Sequence, residues 1–331
     1  MSFSRYNTDD QVVSSETVVR GLWGGDNNQL SSFYTSSTYT EYYLDVYDTT
    51  ATSSLQFAIQ YGNLQGSGSA LINPNVPGLT PSRVVYGEYR NLVYGTEVTN
   101  FSFDGSTTAN QIYILNVARA RYKESLLPGS FVLSLSVPSA SVINTITLVD
   151  DSTTTNLTRY IGENRVFYII SGSTAGVPLS SATSSYYGML FPDLNIAILN
   201  ASSSATVNLK SYFAPLTAAT ASAQNNHLKL YTSIVSGSAT SAFKLQSEET
   251  VSSTYFFTRV KNSEFNYTTN PSIIDDNGNL LYTTLINNPQ TYITSVGMYN
   301  DNNELLAVAK LSRPLTKDFT KEALIRIKLD Y

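Results

Sequence analysis

Residues 293–310 read ITSVGMYNDNNELLAVAK, and this stretch decides the kind of fold the chain builds. Two apolar-rich runs, Ile293 to Met298 and Leu305 to Lys310, flank Tyr299-Asn300-Asp301-Asn302-Asn303-Glu304. Asn and Asp tolerate the left-handed backbone of tight turns, so the segment predicts a β-hairpin with its tip at 299–304. Downstream, KEALIRIKLDY (321–331) places Ile325, Ile327, Leu329 and Tyr331 on one face and Arg326, Lys328 and Asp330 on the other. A one-residue slip would carry those charges to the apolar face, so the register is strongly specified. Such a strand has to pair, within the chain or with a neighbouring subunit. A chain whose sharpest pattern is strand pairing reads as a building part rather than an enzyme.

Composition agrees with a β-rich fold. The 331 residues are 42% hydrophobic and only 14% charged, with 24 Tyr and 14 Phe. Ser, Thr, Tyr, Val and Ile favour pleated, half-buried surfaces, and disordered chains carry few aromatics and high net charge. A formal net charge of −5 argues against a basic nucleic-acid face. Zero cysteines remove disulfides and thiolate metal sites. The start, MSFSRYNTDDQVV, has no apolar run behind a basic segment, and no stretch approaches the ~20 apolar residues of a membrane helix. A soluble protein made in a cytoplasm, without membrane insertion, is expected.

Working back along the chain, residues 1–40 read as a polar N-terminal arm with one apolar mark, Leu22-Trp23, beside Gly24-Gly25. Trp23 reads as a core or subunit anchor. Residues 41–245 read as a β-rich central region, divisible near 150–180, and 246–331 as a C-terminal β domain. SLQFAIQYG alternates at Leu55, Phe57 and Ile59. PSRVVYGEYRNLVYG begins with Pro81 and ends at Gly95, placing Val84, Val85, Glu88, Tyr89 and Leu92 at helical spacing. Ile112–Leu115, VFYII and Ile196–Leu199 read as strands, and FVLSLSV as a half-exposed strand. The expected fold is mainly β with a few short helices, a multi-domain, β-sandwich-like architecture closed by a C-terminal hairpin domain.

Candidate chemistry is sparse. His227 is the single histidine, so a His/Cys zinc site is excluded and any Ser-His-Asp triad would have to use it. Gly172-Ser173-Thr174-Ala175-Gly176 has Thr where a nucleophile elbow needs Ser. Gly62–Ser69 is rich in Gly and Ser but lacks the P-loop ending. Asp275-Asp276-Asn277-Gly278-Asn279 has Ile286 where a calcium loop needs Glu, so it reads as a turn. Asp150-Asp151 and Glu248-Glu249 are adjacent, and strand neighbours point to opposite faces, which suits no carboxylate dyad. Sequons at Asn100, Asn156, Asn200 and Asn266 carry little weight without a secretory signal. Neither catalytic residues, nor cofactor, nor metal is expected.

Several segments resemble virion structural proteins of contractile-tailed, T-even-like bacteriophages, particularly those of marine and cyanobacterial hosts. They are GLWGGD near Leu22, YGNLQGSGS near Gly66, PSRVVYGEYRNLV near Tyr89, IYILNVARARYKESLLPGSFVLSLS near Arg121, TRVKNSEFNYTTNPSII near Asn266, and GMYNDNNELLAVAKLSRPLTKDFTKEALIRIKLDY. The resemblance weakens between about 200 and 245. It implies a structural subunit of the virion tail, in the baseplate or its periphery, with other virion proteins and copies of itself as partners. A neck or tail-fibre-attachment component, or a receptor- or glycan-binding module on the same particle, are the alternatives. The expected assembly contacts are Trp23, Tyr299, Ile325, Ile327, Leu329 and Tyr331.

Overall fold

The computed structural model describes the chain except residues 1–4, 6, 24–27, 31, 36–41, 50–53, 74, 77–78, 139–142, 155–157, 180–185, 203–206, 219–225, 242, 268–269 and 331. Its strands are β1 (Gln11–Gly21), β2 (Gln29–Leu30), β3 (Phe33–Thr35), β4 (Leu44–Asp48), β5 (Leu55–Asn63), β6 (Gln111–Val117), β7 (Ser125–Leu126), β8 (Val132–Pro138) and β9 (Ile143–Asp150). They continue as β10 (Arg159–Ile161), β11 (Asn164–Ser171), β12 (Gly188–Phe191), β13 (Ile196–Asn200), β14 (Phe243–Lys244), β15 (Gln246–Val260), β16 (Thr291–Tyr299), β17 (Leu305–Lys317) and β18 (Ala323–Asp330). The helices are α1 (Pro81–Tyr94), α2 (Asn226–Ser241) and the single turn α3 (Thr284–Asn287). Among the described residues no helix is long and apolar enough to cross a membrane.

The chain folds as two compact units, residues 17–249 and residues 1–16 with 250–331. The larger holds a near-barrel antiparallel sheet in the order β2-β14-β8-β9-β11-β12-β13-β6-β5-β4-β3, with β10 on β11. Residues 150–180 contain β10 and β11 of this same sheet, so no domain boundary falls there. The sheet curls until its own faces meet. Trp23 packs on Phe57 of β5 and Phe243 of β14 with ring centroids 5.8 and 4.8 Å away, and Phe57 meets Phe243 at 5.3 Å. The sandwich-like packing expected from the sequence thus arises within one sheet.

Helices cover both sides of the middle strands. On β6, Tyr113, Leu115 and Val117 belong to the inner core with α2's Leu230 and Ile234, while Ile112 and Ile114 belong to a second core under α1. β12 and β13 divide in the same way. A strand buried on both faces reads as a continuous apolar run, which is why IYIL and IAIL do not alternate. FVLSLSV is likewise buried almost throughout, not half-exposed, because Ser134 and Ser136 lie inside and bond to Thr147 and Thr145 of β9.

Helix α1 begins and ends where local chemistry dictates. Thr80 caps it, Pro81 occupies the first turn, and Gly95 ends it at φ 66°, donating its N–H to Asn91 O. Its buried face is Val85, Tyr86, Tyr89 and Val93, while Val84 and Leu92 face solvent. Gly62 of β5 lets the helix approach, since a Cβ there would lie 3.2 Å from Tyr86 backbone. Helix α2 escaped the sequence reading because its Ser/Thr-rich sequence carries only a weak apolar stripe.

The expected arm of residues 1–40 contains strands. β1 is eleven residues long and almost wholly exposed, so it left no inward-outward pattern to read. Beyond it, Leu22, Trp23 and Leu30 enter the inner core. In the C-terminal unit β15 lies between β1 and β18, pairing Thr254↔Leu329, Phe256↔Ile327 and Thr258↔Ile325. β16 and β17 form a separate two-stranded hairpin.

Candidate functional site

The groups that sequence alone singles out for chemistry are committed to holding the fold. His227 sits in the first turn of α2, 4% exposed, and burial pulls its pKa down to about 4, so it is neutral at physiological pH. The adjacent aspartates point to different partners. Asp150 accepts the Gly129, Phe131 and Ser152 amides, and its pKa is raised, chiefly by burial, against those hydrogen bonds. Asp151 takes Arg159 at 2.8 Å and the Tyr168 amide at 2.9 Å. Glu248 shares Arg165 with Asp193, whose hydrogen bond is the main reason the guanidinium pKa is raised.

The glycine-rich loop 62–69 is clamped rather than open. Asn63 Oδ1 accepts the Gln65 and Ser67 amides, Thr80 Oγ1 donates to Gly66 O, and Ser82 Oγ donates to Ser67 O. Gly68, at φ 87°, fits against Asn226 and Thr217, where a Cβ would lie 2.3 Å from Asn226 Nδ2. Loop 172–176 is a turn closed by Ser173 N–H donating to Val177 O. Asp275 Oδ1 accepts the Asn277 and Asn279 amides, which lowers its pKa and closes the expected turn. Among the described residues no cluster of His, Cys, Asp and Glu could hold a metal ion. Asn100 accepts Arg90, Asn200 donates to Val207 O, and Asn266 accepts Lys317; Asn156 lies outside the described residues.

The remaining feature is a surface. Among the described residues, the buried hydrophobic side chains of the C-terminal unit are Val260 and Ile325. Ile327 and Leu329 are half-buried, and Arg326, Lys328 and Asp330 face outward as their alternation predicts. Arg326 and Lys328 lie over the Tyr255 ring, and Asp330 accepts Ser253 Oγ at 2.7 Å. Tyr331 lies outside the described residues. Trp23, by contrast, is 2% exposed and spends its ring inside the larger unit's core, on Phe57 and Phe243.

The hairpin has the tip the sequence predicts. Asn300 Oδ1 accepts the Asn302 and Glu304 amides, Asn303 takes φ 62°, and Asn300 N–H donates to Glu304 O. Its root is pinned by Lys317, fully buried, whose Nζ donates to Asn262 O, Asn266 Oδ1 and Asp318 O at 2.8–3.0 Å. No carboxylate joins these contacts among the described residues, so the amine serves as an anchor. β17 bulges twice: its partner jumps between Ile293 and Ser295, where Pro314 costs no ladder bond, and again between Met298 and Tyr299. Above the root the stem displays apolar side chains among the described residues. Leu305, Leu306 and Val308 are 53, 65 and 61% exposed, with Tyr299 beside them at 41%. The sequence reading names Tyr299 as an assembly contact but not these three, whose alternation is blurred by the bulge at Leu306.

Comparison with family models, with curated proteins and with solved structures finds no match to this chain.

Proposed function

We propose that this chain is a structural subunit of a contractile-tailed bacteriophage virion, in the tail baseplate or its periphery, and that it works by subunit-to-subunit assembly. The observation that carries the assembly reading is the C-terminal unit, which displays apolar side chains on an uncovered hairpin while burying few of its own. A two-stranded hairpin is marginal in water, and large exposed apolar patches mark interaction sites. The virion and the tail come from the resemblance of the segments quoted above. No catalytic role is assigned. Other virion proteins are the partners, in a particle assembled from host-made chains.

A neck or tail-fibre-attachment position is the nearest alternative. A glycan-binding role draws support from one feature: Tyr34 and Tyr47 stack at 5.7 Å, with Tyr34 exposed, as are Tyr42 and Tyr43. Peptide mass spectrometry and cryo-electron microscopy of purified particles test the main reading, which requires the chain to be found at the tail. Its absence from purified virions overturns it. Binding to host surface polysaccharide, lost in Tyr34→Ala, would favour the glycan reading.

A further inference from the structure

Among the described residues, one tyrosine pair of the larger unit stacks beside an arginine and an aspartate, and a second pair stacks beside an aspartate alone. In the first, Tyr168 of β11 lies on Tyr186 with ring centroids 3.9 Å apart and planes 5° apart. Arg159 of β10 lies over Tyr168 at 4.7 Å and its Nη1 donates to Asp151 at 2.8 Å. In the second, Tyr34 of β3 and Tyr47 of β4 face each other across the ladder and stack at 5.7 Å with planes 23° apart. Asp45, two positions before Tyr47, shares its half-buried face, and the Tyr47 hydroxyl donates to its carboxylate. The Tyr47 pKa is raised, chiefly by burial and then by the charge of Asp45, with smaller contributions from Tyr34 and Tyr43, so these groups lie together. Burial raises the Asp45 pKa against the Tyr47 hydrogen bond, and no lysine or arginine among the described residues forms an ion pair with it. Between Arg20 and Arg83 the chain has neither lysine nor arginine, yet it holds Asp26, Glu41, Asp45 and Asp48. Strands β2 to β5 all lie in this stretch.

We propose that this part of the sheet takes an arginine side chain from a neighbouring protein chain, with its guanidinium on the Tyr34–Tyr47 stack and its N–H groups on the Asp45 carboxylate. This deepens the assembly reading and rests on it for the partner's being a protein. Charge complementarity selects a cation, because the carboxylate lacks a basic partner and the faces of tyrosine rings are electronegative. Arginine suits the place better than lysine. Its planar group can stack on a ring and donate to a carboxylate at once, as Arg159 does on Tyr168 and Asp151. A neutral sugar could lie on the same rings, but it would bring no opposite charge to Asp45. β3 ends the strand order of its sheet, so exposed Tyr34 stands at an edge that a neighbouring chain can reach. Tyrosine and arginine are also the residues in which the binding energy of protein interfaces concentrates.

Nuclear magnetic resonance of the full chain with isotope-labelled tyrosine rings, titrated with N-acetyl-arginine amide, tests this. The ring signals assigned by Tyr34→Phe and Tyr47→Phe shift, with a midpoint in the tens of millimolar or below, and the binding weakens with salt. N-acetyl-citrulline amide, of the same shape without the charge, and maltose leave these signals in place. Asp45→Asn weakens arginine binding about fivefold, and Tyr34→Ala about two- to fivefold, each with an unchanged far-ultraviolet circular dichroism spectrum. Tyr292→Ala, which removes an exposed tyrosine of the C-terminal unit, changes nothing. Silent ring signals, an equal response to citrulline, a stronger one to maltose, or an Asp45→Asn chain that binds as tightly overturns the proposal. Arginine binding by a chain absent from virions removes the assembly reading and leaves the site. A chain found in virions that ignores arginine amide removes the site and leaves that reading.

Discussion

The larger unit and the C-terminal unit use similar strand-forming residues to opposite ends. β6 and β13 carry Ile112–Leu115 and Ile196–Leu199 between two helix-covered faces, and every one of those side chains is buried. β17 carries Leu305, Leu306 and Val308 exposed among the described residues. Apolar content alone therefore does not decide burial. A covering layer does.

The sharpest way to break this contrast is to hollow the larger unit. Trp23→Ala removes the ring that joins β5 to β14, and should cost about 3–5 kcal/mol in urea-unfolding measurements. A loss below 1 kcal/mol would mean the curled sheet closes without it. Next comes acid. His227 is neutral in the fold, with its pKa lowered from 6.5 to about 4, so the unfolded chain binds its proton more readily. Stability is full above pH 6.5 and falls as pH drops toward 4, by about 3 kcal/mol for this group alone. His227→Gln should flatten that part of the pH profile measured by thermal unfolding.

Smaller effects belong to the C-terminal unit. Lys317→Met strands three oxygens that now share one buried amine, and should cost about 1–3 kcal/mol, seen as faster hydrogen exchange in β16 and β17. Val308→Ser on the exposed stem should change stability by less than about 0.5 kcal/mol. If Val308→Ser also left incorporation into particles unchanged, the stem would not be the contact surface. Equal stability losses for Trp23→Ala and Val308→Ser would erase the distinction between the two units.

How much was legible follows the range of the forces. The tip at Asn300–Glu304 and the limits of α1 at Pro81 and Gly95 are set by residues a few positions apart, and the structure places them where the sequence does. The alternation of Ile325, Arg326, Ile327 and Lys328 needed only a single half-covered strand. The missed features depend on distant partners. Helix α2 is held by Tyr113 donating to Asn226 O and by Ser233 Oγ donating to Tyr212 O, so its weak stripe suffices. Helical spacing over Val84 to Leu92 defines the helix without saying which side the sheet lies on, so it is the packing that decides that Val84 and Leu92 face solvent.

By itself, then, the sequence determined the strand-rich character, the hairpin tip, the limits of α1 and the register-forcing pattern of the last strand. Each is encoded by backbone preference or by alternation over neighbouring residues. Only the tertiary structure decided that one sheet curls on itself, that Trp23 belongs to its interior, and that Asp150, Asp151 and Asn63 serve as internal ties. It also decided which apolar strands stay bare, because burial depends on what the rest of the chain brings to lie over them.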